Sequence, residues 1–85
     1  MFVTLKNKMY DEKDFLALVT AIYQEHKERS IVIERYSAGW VCDIVHEGER
    51  WFCGHRTSAF GALCRVLKKL QLRGLTEAHV AGARN

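Results

Sequence analysis

Cysteine, histidine, paired carboxylates and one well-placed serine are the side chains in this 85-residue sequence that could do chemistry. Cys42, Cys53 and His55 carry thiols and an imidazole, the ligand types zinc takes, and strand alternation gathers them on one face with His46 further along. No CxxC or HxxxH spacing accompanies them. With a turn at Gly48-Glu49, Cys42 lies directly across from His55 and diagonal to Cys53, at about 7–8 Å, beyond comfortable disulfide reach. Cys64 makes the thiol count odd. Free cysteine usually packs as a small hydrophobe, so three reduced, buried thiols are expected, with neither a metal nor a cofactor.

The acids Glu34 and Asp43 would face each other across a hairpin, the paired-carboxylate arrangement that acid–base catalysis uses. An open sheet offers them no cleft, and two solvated charges are the simpler reading. Ser58 lies in T-S-A-F-G rather than the G-x-S-x-G of a nucleophile elbow, and a helix-capping role accounts for it. The expectation is therefore a protein that is not an enzyme.

The elements that position these residues follow from periodicity. Asp11, with Glu12 and Asp14 behind it, opens a helix through capping and the helix dipole; Phe15, Leu18, Val19, Ile22 and His26 supply its apolar stripe, giving a helix over 11–28. Three strands follow at Ser30–Ser37, Trp40–Glu47 and Arg50–His55, joined by tight turns at Ala38-Gly39 and at Gly48-Glu49, the latter read as type II′. Thr57 or Ser58 caps a second helix to about Leu72, with Phe60, Leu63, Val66, Leu67 and Leu70 on its stripe and Gly74 as its stop. Phe2–Leu5 adds an N-terminal edge strand, and 75–85 reads as a frayed tail. The expected fold is α+β: a single domain over 1–85, a two-layer sandwich in (β)αβββα order, with a three-stranded antiparallel meander covered on one face by two helices.

Sorting the strands by those turns places Ile31, Ile33, Arg35, Trp40, Cys42, Ile44, His46, Trp51, Cys53 and His55 beneath the helices. The opposite face collects Val32, Glu34, Tyr36, Val41, Asp43, Val45, Glu47, Arg50, Phe52 and Gly54. A one-residue slip would exchange the two sets. If the register holds, solvent meets valines and aromatic rings set among acids, a surface suited to binding a partner. The expected partner-binding residues are Val32, Glu34, Tyr36, Val41, Asp43, Val45, Glu47 and Phe52, with Tyr36 and Phe52 as anchors and the acids facing a basic partner.

Composition agrees with a small globular domain: 48% apolar, 27% charged, with a net charge of +3. The charge is uneven, at +2 over 1–10, −4 over 11–50 and +5 over 51–85. No apolar run approaches the ~20 residues of a membrane span, and the N-terminus lacks a signal-peptide pattern; a cytoplasmic protein without membrane contact is expected. Arg56, Arg65, Lys68, Lys69 and Arg73 gather on or near the second helix, where they could meet phosphates. They define the alternative reading, a module contacting double-stranded RNA or DNA.

The αβββα order resembles the double-stranded RNA-binding domain in topology. The chain departs from that family at the start of the second helix, where Arg56-Thr57-Ser58-Ala59-Phe60 replaces a basic cluster, and in the acidic start of the first helix at Asp11, Glu12 and Asp14. A second resemblance covers Gly39 to Leu70. Trp40, Gly48-Glu49, Thr57, Ala59, Ala62, Leu63, Cys64 and Arg65 resemble the pattern of small bacteriophage helix–sheet–helix proteins, a size class that includes anti-CRISPR inhibitors. That resemblance implies a protein that blocks a host nucleic-acid-processing complex by binding its surface. The expected partner is thus a host protein or protein–nucleic-acid complex. A homodimer formed by edge-to-edge pairing of the first strand with its copy is a third expectation.

Overall fold

The computed structural model describes residues 1–82. It contains two helices and two three-stranded antiparallel sheets. In chain order the elements are β1 (Phe2–Leu5), β2 (Lys8–Tyr10), α1 (Phe15–Glu25), β3 (Ser30–Tyr36), β4 (Gly39–His46), β5 (Glu49–Arg56), α2 (Ala59–Leu72) and β6 (His79–Ala81). Among the described residues, no helix is long and apolar enough to cross a membrane.

The first helix begins as expected and ends early. Asp11 accepts from the Lys13 backbone N–H while Asp14 accepts from that of Asp11, a reciprocal cap that holds a 3-10 turn at Glu12–Asp14 before α1 proper. His26, placed by periodicity on the helical stripe, is instead the extended residue that ends α1. In α2, Ser58 Oγ accepts from the Gly61 N–H at 2.9 Å, the capping role expected of it.

The meander β3–β4–β5 forms, but both of its turns sit one residue earlier than expected. Tyr36 pairs with Gly39 around Ser37-Ala38, and His46 pairs with Glu49 around Glu47-Gly48. Glu47 and Gly48 both have positive φ, 50° and 80°, the type I′ geometry, whose twist matches the strands where types I and II would splay them. Moving a turn back by one residue shifts the pairing by two, so the faces survive while the partners change. Glu34 lies opposite Val41 and Asp43 opposite Val32, so the two acids are not paired. Cys42 lies opposite Cys53, not diagonal to it.

Gly39 has φ 135°, and a Cβ there would come within 2.7 Å of the Arg56 carbonyl oxygen, so this close approach of β4 to the end of β5 requires glycine.

The N-terminal strand does not join that meander. β1 lies between β2 and β6 in a second sheet. The 75–85 segment is not a frayed tail over its described part: β6 pairs with β1, Val3 facing Val80. Residues 83–85 lie outside the described residues. The second sheet accounts for the burial of α2. Phe60, Ala62, Leu63, Cys64, Val66, Leu67 and Leu70 are all buried, wider than one stripe, because α2 meets β3, β4 and β5 on one side and β6 on another. The core joins these residues to Val3, Leu5, Leu18, Ile22, Ile44 and Val80.

Candidate functional site: the open face of the meander

The face of β3–β4–β5 directed away from the core is open over much of its area. Tyr36 is 52% exposed, Phe52 44% and Val32 44%, with Val45 also exposed. Together with Glu34, Val41, Asp43, Arg50 and His55, three of these residues (Val32, Tyr36 and Phe52) line a concavity of about 260 Å3. The strands hold the side chains in place because alternate residues point the same way and neighbouring strands set them side by side.

Three expected assignments change on this face. Val41 is only 8% exposed and forms the floor of the concavity rather than an outer contact. Glu47 leaves the face altogether, because it occupies the turn and lines a different cavity beside His26 and His46. His55, expected beneath the helices, comes to the open side. Between the Trp40–Arg56 and Cys42–Cys53 pairs, Gly54 and His55 oppose Val41 alone, and His55 takes φ 47°. That bulge spends one extra residue on β5 and turns the imidazole outward. It also divides Cys42 and Cys53 from His55, so the suspected ligand set is split across the sheet. The described residues hold no group of three or more His, Cys, Asp and Glu side chains placed for a metal ion.

Asp43 is the chemically distinctive residue of the concavity. Its Oδ2 accepts from Arg50 Nε, while Oδ1 is buried and has no donor among the described residues. Arg50 also lies over the Phe52 ring, 5.2 Å from its centroid, a cation–π contact that steadies the aromatic rim. A buried acceptor without a donor costs free energy, and Oδ1 is closed to solvent, so the open face owes its contacts to the exposed side chains around it. Beneath the sheet, burial pushes the Cys42 thiol up to about 12, aided by the neighbouring Cys53 and the Asp43 carboxylate; burial likewise raises Cys64 to about 12. Neither supplies a thiolate nucleophile near neutrality.

The basic residues are disposed differently. Arg65 and Lys69 follow at four-residue spacing on α2, with Arg73 next at its C-cap; Lys68, three residues after Arg65, is half-buried on the same solvent-facing arc. Much of this stripe is occupied within the fold. Arg56 Nε donates to Cys53 Sγ at 3.3 Å, Lys69 Nζ donates to the Phe52 carbonyl, and Arg73 lies over the Trp51 ring at 5.6 Å. Arg56 and Arg65 share a second concavity at the start of α2 with Thr57 and Ser58.

One polar cluster was missed in the sequence. Arg29 is buried and donates through Nη1 to Glu25 Oε1 (2.8 Å), through Nε to His46 Nδ1 (3.1 Å), and through Nη2 to the Leu75 carbonyl. Glu25 in turn accepts from Thr76 Oγ1 at 2.6 Å and from the Glu77 N–H. Burial alone would raise the Glu25 carboxyl, but the bonds from Thr76, Glu77 and Arg29, with the Arg29 charge, hold it below its ordinary value. His46 meets His26 edge to face at 4.8 Å. The only signal for this cluster in the sequence is the four-residue separation of Glu25 and Arg29, and they meet although α1 ends at Glu25 and Arg29 lies beyond the helix. A cavity of about 510 Å3 opens beside it, but Glu25 and Arg29 are already bonded to each other and to the 75–77 segment, so the cluster joins α1, β4 and that segment.

No family model matches the chain, and neither a curated protein nor a solved structure matches it.

Proposed function

We propose that this protein is a non-catalytic binding module that captures a partner protein on the open face of β3–β4–β5. The observation that carries this reading is the exposed apolar set Val32, Tyr36, Val45 and Phe52, gathered on one sheet face. Burying such area yields about 25 cal/mol per Å2, and rigid aromatic side chains are the usual anchors of protein interfaces. Glu34 biases the face toward a basic partner, the Asp43 charge being already met by Arg50. Occupying the surface of a host nucleic-acid-processing complex is the form of this activity that fits the resemblance to compact phage inhibitors.

Affinity capture from nuclease-treated lysate tests the reading. The Tyr36→Ala/Phe52→Ala double variant is expected to lose capture by about a hundredfold or more, with an unchanged circular-dichroism melt. Unchanged capture by the folded variant removes the proposal. The four-residue spacing of Arg65, Lys69 and Arg73 favours a second reading, contact with double-stranded RNA or DNA. Micromolar binding to a mixed nucleic-acid pool that weakens steeply with salt would move the function to α2.

A further inference from the structure

Sheet edges expose backbone N–H and C=O groups that invite another strand, and proteins usually block them. The two sheets here have four edges. β2 and β6 are only three residues long, and the outward N–H of Val80 on β6 is taken by Gln71 Oε1 at 2.9 Å. On β5, the outward carbonyl of Phe52 is taken by Lys69 Nζ, and the bulge at Gly54–His55 interrupts the edge beyond it.

β3 is treated differently. Because Tyr36 and Gly39 flank a two-residue turn, they form a hydrogen-bonded pair, and alternation then directs the backbone groups of Ile31, Ile33 and Arg35 away from β4. The Ile31 N–H fits this pattern, since it donates to the Tyr23 hydroxyl of α1 at 3.1 Å. Nothing comparable reaches Ile33 or Arg35: among the described residues, no side chain or loop bonds to their backbone groups. The stretch carries no proline, no lysine and no bulge.

We infer that the free edge of β3 at Ile33–Arg35 receives an extended segment of a partner protein that carries a basic side chain opposite Glu34. This rests on the protein-binding reading above and specifies how the partner engages the same face. A second copy of the chain fits poorly. Pairing the two free residues of one copy with those of another centres a two-fold axis on Glu34 and sets two carboxylates face to face, a destabilising cross-strand pair. A register centred on Ile33 would need the Ile31 N–H that Tyr23 already holds. A foreign strand with Lys or Arg at that position removes the repulsion, and apolar residues two positions to either side would meet Val32 and Tyr36 on the open face.

The test is an amide NMR titration of the whole chain with two synthetic heptapeptides, Thr-Val-Thr-Lys-Thr-Val-Thr and its Glu-for-Lys counterpart. The Ile33 and Arg35 amides are expected to shift, with the Lys peptide binding about fivefold more tightly at low salt. Glu34→Lys should reverse that preference. Arg35→Pro should abolish the response, since it removes an outward N–H without touching the β3–β4 ladder. Should that variant fail to fold, the Glu34→Lys reversal decides. No shift in β3, or no charge preference in either protein, overturns the inference. A concentration-dependent dimer seen by light scattering and lost in Arg35→Pro also overturns it, by giving the edge to a second copy. Capture that survives Arg35→Pro but not Tyr36→Ala/Phe52→Ala would refute the edge while keeping the face.

Discussion

Glu25 and Asp43 are both acids that bond an arginine, one in the Arg29 cluster and one on the open sheet face, yet their surroundings diverge. Glu25 has donors on both oxygens, from Arg29, Thr76 and Glu77, and its arginine is spent on three acceptors. Asp43 has one donor, from an arginine that is itself largely exposed, and its second oxygen is orphaned. A completed polar network fixes structure, whereas Asp43 holds a single charge-assisted bond to an exposed arginine and its second oxygen contributes none. The difference separates a cluster that holds the molecule together from the face proposed above for binding.

The strongest way to break the comparison is at Arg29. Arg29→Met removes a buried charge and leaves Glu25 and His46 without it, which is expected to cost about 3–5 kcal/mol. That is a large share of a small domain's stability, and urea denaturation monitored by circular dichroism would show it. A loss below 1 kcal/mol would mean the cluster is not structural.

A second, smaller effect concerns acid. Because the folded Glu25 carboxyl lies below its ordinary value of 4.5, its contribution is complete above that value. It is lost as pH falls through the lower folded value. Urea midpoints should therefore decline below about pH 4.5, and Glu25→Gln should flatten the decline. The smallest expected effect is at Asp43. Asp43→Val replaces an orphaned acceptor by a good strand former, so stability should stay within about 1 kcal/mol or rise, while partner capture weakens. Destabilisation comparable to Arg29→Met would erase the distinction between the two acids.

Much of this arrangement could be read from the sequence because strand alternation is robust to even errors. Each turn lies one residue before its expected position, yet Tyr36 and Phe52 still face outward and Ile44 and Cys53 inward. What alternation does not encode is an inserted residue, and so alternation alone puts His55 on the wrong side. The turn position itself depended on Glu47 accepting positive φ, a conformation that non-glycine residues seldom show. β6 was illegible for another reason: His79–Ala81 is too short for periodicity, and its pairing depends on β1, far away in the chain. The Arg29 cluster likewise draws on α1, β4 and the 75–77 segment, a convergence that only tertiary structure supplies.

The pairing of β1 with β6 also governs when folding can finish. On the ribosome, Phe2–Leu5 is made early but can gain its second neighbour only after His79–Ala81 has been synthesised. Such sequence-distant contacts carry a loop-closure cost and form slowly. Until then the flank of α2 that this sheet covers stays bare, and the nascent chain would be most prone to aggregation in that interval.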